Sequence, residues 1–117
     1  MKILQSFKHA GNGILLFFLH ERNGQVQLVA ALGTIGMGWY LKVSVTEWIL
    51  ITACIAAVLS LEMLNTAIEK LSDVVMPGFH HVIKTVKDIA AGSVLLSAAA
   101  SLVTGILIFV PKILKLL

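Results

Sequence analysis

The most informative stretch of this chain is Glu62-Met63-Leu64-Asn65-Thr66-Ala67-Ile68-Glu69-Lys70-Leu71-Ser72-Asp73, which closes a long apolar run. On a helix, at about 100° per residue, five of its side chains lie within an arc of about 100°. We call these residues the acidic stripe: Glu62, Asn65, Thr66, Glu69 and Asp73. The opposite side of the same turns is wholly apolar. Three carboxylates at the end of a hydrophobic helix are costly unless a cation or a reacting group uses them. The stripe therefore predicts a functional site.

Composition predicts a membrane protein. Hydrophobic residues make up 58% of the 117 residues and charged residues only 13%, whereas soluble domains average about 25% charged. We predict an all-α integral membrane protein with a single domain over residues 1–117. The Lys and Arg residues are scattered along the chain, which argues against a nucleic-acid partner. Cys54 is the only cysteine, which excludes an internal disulfide and a cysteine-based metal site.

Hydropathy and breaker residues predict four helices. The first segment mixes basic and apolar residues, as does an amphipathic helix in the membrane interface, and Asn23-Gly24 is a turn signal. Later segments are expected to end at Pro77-Gly78 and at Pro111. We predict a surface helix at about 1–22 and transmembrane helices at about 24–41, 48–71 and 89–110. Residues between His80 and Asp88 are expected to form a polar junction.

The basic residues predict the orientation of the chain. With three crossings the two termini lie on opposite sides of the bilayer, and the side with the N-terminus carries most of the Lys and Arg residues. By the positive-inside rule, the N-terminus lies in the cytoplasm. This orientation puts Glu69 and Asp73 on the side where ATP and Mg²⁺ are available, with Glu62 about two turns deeper.

Small residues predict where helices meet. Two sets have this character, Ser93, Ser97, Ser101 and Gly105 in the third crossing and Gly33, Gly36 and Gly38 in the first. Such residues let a neighbouring helix approach closely. Trp39, Tyr40 and Trp48 are expected to anchor the membrane interface. Three short helices cannot enclose a site alone, so we expect an oligomer.

Position along the stripe predicts a division of roles. Glu62 and Glu69 lie about 10 Å apart along the helix axis, too far to share one ion without another element. Glu69 is suited to hold Mg²⁺ with nucleotide phosphates, and Glu21 could supply a second carboxylate. Glu62, deeper in the apolar run, is suited to act as a general base on a lipid hydroxyl, with Asn65 orienting either partner. Lys87 is the natural cation for a transferring phosphoryl group.

Two motifs resemble those of one known family. The first is Glu62-x-x-Asn65-Thr66-Ala67-Ile68-Glu69-x-x-x-Asp73, and the second is Lys87-Asp88-x-Ala90-Ala91-Gly92. Both are similar to motifs of the prokaryotic diacylglycerol kinase family, which includes undecaprenol kinase, and the similarity covers nearly the whole chain. Family members are small homotrimeric enzymes of the bacterial inner (cytoplasmic) membrane. They move the γ-phosphate of ATP onto a lipid alcohol with Mg²⁺, at sites shared between neighbouring subunits.

The resemblance implies roles for individual residues. Glu62 is expected to be the catalytic base, Asn65 to organise the site, and Glu21 and Glu69 to bind the metal. The expected contacts to ATP and Mg²⁺ are Glu21, Glu69, Asp73, Gly78, Phe79, His80, Lys87 and Asp88. The expected partners are ATP, a lipid alcohol, the bilayer and two further copies of the chain. Diacylglycerol and undecaprenol both stay open as acceptors, although the second motif and the ending Phe109-Val110-Pro111-Lys112 look more like the undecaprenol branch.

Two other functions use the same features. In a small ion-coupled transporter, Glu62, Asn65 and Glu69 would line an ion pathway through an oligomer. Against this hypothesis, the carboxylates cluster at one end of the helix and no inverted repeat is visible. A structural membrane subunit is the third hypothesis, and it leaves the acidic stripe unexplained.

Some polar residues also have simpler interpretations. The adjacent His80-His81 is more often a surface polar pair than a ligand pair. Lys87-Asp88 could be only a local charge pair at a helix start. Lys70 points away from the stripe and is expected to contact lipid headgroups. Glu47 is expected to pair with Lys42 and to have no catalytic role.

Overall fold

The computed structural model describes residues 2–117, which form four α-helices and confirm the predicted all-α class. The helices are α1 Lys2–His20, α2 Arg22–Tyr40, α3 Val45–Val75 and α4 His81–Leu116. Each helix packs on the next one in sequence, so that α2 and α4 flank α3. The acidic stripe therefore lies on the central helix of the bundle.

The chain turns between α1 and α2 at Glu21, and the prediction of a turn at Asn23-Gly24 is wrong. Glu21 has extended backbone angles, φ −102° and ψ 120°, and immediately precedes α2. Gly24 instead lies buried in the first turn of α2, where a Cβ atom would come within 2.6 Å of the Phe17 ring of α1. The glycine is needed for close packing of α1 on α2. Helix α1 also runs unbroken through Gly11 and Gly13.

Helix α3 begins three residues earlier than predicted because Ser44 caps it. The Ser44 hydroxyl accepts a hydrogen bond from the Glu47 backbone N–H, and the Glu47 carboxylate accepts one from the Ser44 N–H at 2.8 Å. This reciprocal pair satisfies two backbone donors that a helix start leaves free. The end of α3 at Val75 confirms the break predicted at Pro77-Gly78.

Helix α4 is longer than predicted at both ends. It starts at His81, so the predicted polar junction forms its first two turns. The prediction that Pro111 stops this helix is wrong, because α4 continues to Leu116. The ring of proline fixes φ at a value compatible with a helix, and near a helix end only one of the last backbone hydrogen bonds is lost.

Helices α3 and α4 form an antiparallel hairpin with an ion pair at each end. Lys112 Nζ lies 3.0 Å from Glu47 Oε1 at one end, and Lys87 Nζ lies 2.6 Å from Asp73 Oδ1 at the other. The predicted pairing of Glu47 with Lys42 is therefore wrong. About 25 residues of each helix separate the two ion pairs, roughly 38 Å at 1.5 Å per residue. Both helices are long and apolar enough to cross a bilayer.

Helix α2 runs antiparallel to α3, with a contact near each of its ends. A Cβ on Gly38 would lie 2.9 Å from the Trp48 ring of α3. At the other end, Glu21 pairs with Lys70. Trp48, predicted as an anchor at the membrane interface, thus also packs against α2. Gly33 and Gly36 face open space within the chain, so only Gly38 of the three makes the predicted close approach here.

Polar residues share the buried face of α3 with apolar ones. Its buried residues share one face: Ile51, Val58, Glu62, Asn65 and Ser72. The apolar Leu64 and Leu71 are exposed on the opposite face. A helix that turns polar groups inward and leucines outward suits a lipid surrounding, because bare polar groups are costly in hydrocarbon.

A cavity of about 560 Å³ opens between α2 and α4, with α3 as its floor. Its lining is largely apolar and follows α3 from Ile51 to Leu59, ending less than one turn before Glu62. Ser101 and Gly105, from the predicted small-residue stripe, lie in its wall. A Cβ on Gly105 would meet no atom within 4 Å, so no helix of the same chain contacts this part of the stripe closely.

Candidate active site

The acidic stripe runs from buried to exposed along α3. Glu62 is 4% exposed and Asn65 is 7% exposed, whereas Glu69 and Asp73, further along the helix, are exposed. The helix spacing that placed these residues on one face is confirmed by a hydrogen bond, in which Asn65 Nδ2 donates to Glu69 Oε1 at 3.3 Å. The site thus combines a desolvated carboxylate with an accessible one.

Two oxygen atoms of the stripe are buried and lack partners. Within residues 2–117, neither Glu62 Oε1 nor Asn65 Oδ1 accepts a hydrogen bond. A buried acceptor without a donor costs about 1 to 3 kcal/mol, and such groups in a native protein call for a functional explanation. Both atoms are available to accept a hydrogen bond from a bound molecule.

The α1–α2 corner brings Glu21 to the turn of α3 that carries Glu69. Glu21 Oε1 lies 2.9 Å from Lys70 Nζ, and Lys70 directly follows Glu69. The expectation that Lys70 contacts lipid headgroups is therefore corrected, because its ammonium group pairs with Glu21. The Glu21 carboxylate therefore contacts the turn of α3 that carries Glu69, 48 positions further along the chain.

Gln25 supports this corner, and sequence reasoning missed it. Its Nε2 donates hydrogen bonds to the Phe18 and Leu19 carbonyl oxygens, each at 3.2 Å. The last carbonyl groups of α1 would otherwise lack partners at the helix end. A glutamine early in a helix forms no distinctive pattern, so the sequence offered no signal for this role.

Lys87 reaches across the hairpin to α3. Its Nζ lies 2.6 Å from Asp73 Oδ1, while Lys84 Nζ lies 2.6 Å from Asp88 Oδ2 one turn away on α4. The interpretation of Lys87-Asp88 as a local charge pair is therefore wrong, since each residue has a different partner. The Lys87 cation lies at the same end of the bundle as Glu69.

The connection between α3 and α4 carries the remaining predicted nucleotide contacts. Gly78 and Phe79 lie in it, and the Phe79 side chain is exposed, at 82%. His80 caps α4, because its Nδ1 accepts a hydrogen bond from the Val82 N–H at 3.2 Å. Its ring also stacks on that of His81, with centroids 5.1 Å apart. His80 thus has a structural role in addition to its predicted one.

The donor set fits a hard divalent cation. The candidate ligands Glu21 and Glu69 offer carboxylate oxygens, and no cluster of three or more His, Cys, Asp or Glu residues occurs within residues 2–117. Mg²⁺ commonly takes one or two carboxylates and completes its octahedron with phosphate and water oxygens. A site with few protein ligands next to an open surface matches that preference.

Comparison with known proteins decides between the functional hypotheses. The family model for prokaryotic diacylglycerol kinase matches residues 8–109. The chain belongs to this family. It is 40% identical to the undecaprenol kinase of Bacillus subtilis, over 96% of this chain and 91% of that protein. It is 31% identical to the diacylglycerol kinase of Synechocystis, over 98% of this chain and 66% of that protein.

Membership of the prokaryotic diacylglycerol kinase family makes the chain a membrane lipid kinase, an enzyme that transfers a phosphoryl group to a lipid. The transporter and structural hypotheses lose their support, because the chain belongs to a family whose named members are lipid kinases. The predicted kinase function is confirmed.

Proposed function

We propose that the chain transfers the γ-phosphate of ATP, with Mg²⁺, to the hydroxyl group of a lipid alcohol at the cytoplasmic face of the bacterial inner membrane. The observation that carries this proposal is the buried Glu62 oxygen without a partner, two turns from the exposed Glu69. A base at the level of the lipid hydroxyl and a metal ligand nearer the water are what the reaction requires.

Glu62 acts as the general base in this mechanism. It accepts the proton of the lipid hydroxyl, and the alcohol oxygen attacks the γ-phosphorus of ATP. The bond between the γ-phosphorus and the bridging oxygen then breaks, and ADP leaves. Burial at 4% exposure keeps competing water away from Glu62. The free Oδ1 of Asn65 accepts a hydrogen bond from a group of the bound substrates.

Glu21 and Glu69 would hold Mg²⁺, which neutralises charge on the transferring phosphates when it is bound. Asn65 fixes one oxygen of Glu69 through its amide hydrogen bond. Lys87, oriented by Asp73, adds positive charge next to the phosphates. Gly78, Phe79, His80 and Asp88 complete the proposed nucleotide contacts.

We also propose that α2 is the third crossing, with the N-terminus in the cytoplasm. Support comes from the two contacts of α2 with α3, at Gly38 and at Glu21, which show that α2 runs alongside α3 from Trp48 to Lys70. No Asp, Glu, Lys or Arg occurs between Asn23 and Leu41. Its length of 19 residues corresponds to about 28 Å, near the thickness of the hydrocarbon core.

A homotrimer with shared sites is the proposed assembly, as the family resemblance implies. The unpartnered small residues support an oligomer, because Gly33, Gly36 and Gly105 have open space around them. No large side chain among residues 2–117 is fully buried. Light scattering in detergent would measure the subunit number.

For the acceptor we propose undecaprenol rather than diacylglycerol. The relative named undecaprenol kinase has the higher identity, and the chain covers more of its length. The cavity beside Glu62 is apolar and offers space for a lipid chain.

The decisive experiment is transfer of labelled γ-phosphate from Mg-ATP to undecaprenol and diacylglycerol, side by side in mixed micelles. We expect label on undecaprenol in excess of label on diacylglycerol, and none with Glu69→Gln. Glu47→Gln is the matched control, because it removes a carboxylate from the opposite end of the same helix and should retain activity. Preferred labelling of diacylglycerol would reverse the acceptor assignment, and no labelling by folded protein would refute the proposal.

A further inference from the structure

Lys70 forms the ion pair that links the α1–α2 corner to α3. Its Nζ lies 2.9 Å from Glu21 Oε1, and the two side chains are 69% and 28% exposed. Glu21 is the residue preceding α2, yet its carboxylate makes no hydrogen bond to the free N–H groups of that helix. The carboxylate is therefore directed to α3, where its partner Lys70 directly follows the proposed metal ligand Glu69 in sequence.

We infer that Lys70 is a positioning residue, which holds the Glu21 carboxylate against α3 in the metal-free enzyme and yields it to the divalent cation. This inference rests on the proposed function, since it takes Glu21 and Glu69 as the metal ligands. The ammonium group pairs with Oε1, one of the two carboxylate oxygens that Glu21 could offer to a metal ion. While no metal ion is bound, the positive charge of Lys70 neutralises the Glu21 carboxylate.

Removing the Lys70 charge should change both the metal affinity and the stability of the α1–α2 corner in the metal-free protein. The metal ion no longer competes with the ammonium group for Glu21 and is no longer repelled by it, so metal affinity rises. In the metal-free protein the corner loses its link to α3 and opens more often. Because the ion pair is largely exposed, the expected change in affinity is small, about two- to fivefold.

The test measures binding of Mn²⁺ alone, by electron paramagnetic resonance of the free ion, to the full-length protein in detergent. We expect Lys70→Met to bind Mn²⁺ about two- to fivefold more tightly than wild type. Lys70→Arg should restore wild-type affinity. Lys42→Met, which removes a lysine from the connection that precedes the opposite end of α3, should have no effect.

Hydrogen exchange of residues 18–25 supplies the second readout. Without metal, these amides should exchange faster in Lys70→Met than in wild type, and saturating Mn²⁺ should bring the two proteins to the same rate. Suppose that Glu69→Gln loses Mn²⁺ binding but Lys70→Met binds Mn²⁺ no more tightly than wild type. That result would overturn this inference and leave the proposed metal site intact. Equal binding by Glu69→Gln and wild type would overturn the proposed metal site, and the inference with it.

Discussion

At the far end of α3, defined by Ser44, Glu47 and Lys112, polar side chains are paired with one another. Ser44 and Glu47 exchange two hydrogen bonds, and Glu47 also pairs with Lys112. At the site end, defined by Glu21, residues 62–73 and Lys87, two buried oxygens have no partner among the described residues. The same helix thus has one end that is internally satisfied and one that is not.

The far end stabilises the hairpin, whereas the site end holds the residues of the proposed mechanism. A small apolar cluster reinforces the far end: Val43, Ile51, Ile108 and Phe109. The site end carries unpaired buried acceptors, which lower the stability of the free protein. In the proposed mechanism the substrates supply the missing donors. Natural proteins commonly break local rules at functional sites, and their remaining structure compensates.

The largest effect is expected from Glu62→Gln. Loss of a general base typically costs about 10² to 10⁴-fold in rate, while an unpaired buried carboxylate is replaced by a neutral amide of the same shape. We expect kcat to fall by that amount and the melting temperature to stay equal or rise. Labelled-phosphate kinetics and circular dichroism at 222 nm would measure both. A fully active variant would remove Glu62 from the role of base.

Asn65→Ala should have the next largest effect. It removes the amide that holds Glu69, and loss of such an orienting group costs about 10 to 100-fold in metal affinity. The Mg²⁺ concentration for half-maximal activity should rise accordingly, with partial recovery at high Mg²⁺. Thr66→Ala, at the adjacent position of the stripe, is the matched control and should need no additional Mg²⁺. An unchanged Mg²⁺ requirement in Asn65→Ala would show that the hydrogen bond to Glu69 does not matter.

Gly24→Ala tests whether the corner that carries Glu21 depends on close packing. The added Cβ would meet the Phe17 ring at 2.6 Å, and overpacking of this kind costs about 1 to 3 kcal/mol. We expect a lower melting temperature and a loss of activity that follows displacement of Glu21. Gly33→Ala, where a Cβ meets no atom within 4 Å, should be neutral or slightly stabilising. Equal melting temperatures for the two variants would contradict the packing argument.

The smallest effect is expected at the far end, from Ser44→Ala. Loss of a helix cap costs about 1 kcal/mol, and no substrate group is proposed to contact this end. The melting temperature should fall by a few degrees while kcat and the Mg²⁺ requirement stay at wild-type values. A change in kinetics without a change in stability would show that the two ends are coupled.

Much of the fold and the site followed from local patterns. Helix periodicity placed Glu62, Asn65 and Glu69 on one face of α3, and the hydrogen bond from Asn65 to Glu69 confirms that geometry. Pro77-Gly78 correctly marked the end of α3. The family motif gave the lipid kinase function. These features depend on residues within a few turns of each other, so they can be predicted without knowledge of the tertiary structure.

Helix boundaries were less predictable. Gly24 looked like a turn residue because glycine is common in turns, but here it permits contact with Phe17. Pro111 looked like a stop signal, but α4 tolerates it near its end. One residue type serves several purposes, and only the neighbouring helix shows which one applies.

Local sequence patterns were enough to predict the helical class, the acidic stripe and the family. Which charges pair depends on tertiary packing. The pairs are Glu21 with Lys70, Asp73 with Lys87, and Glu47 with Lys112. Lysine side chains are long and flexible, so several carboxylates lie within reach until packing fixes the relative position of the helices. Helix periodicity determines which face a residue occupies, whereas the register between two helices depends on the fit of their surfaces along their full length.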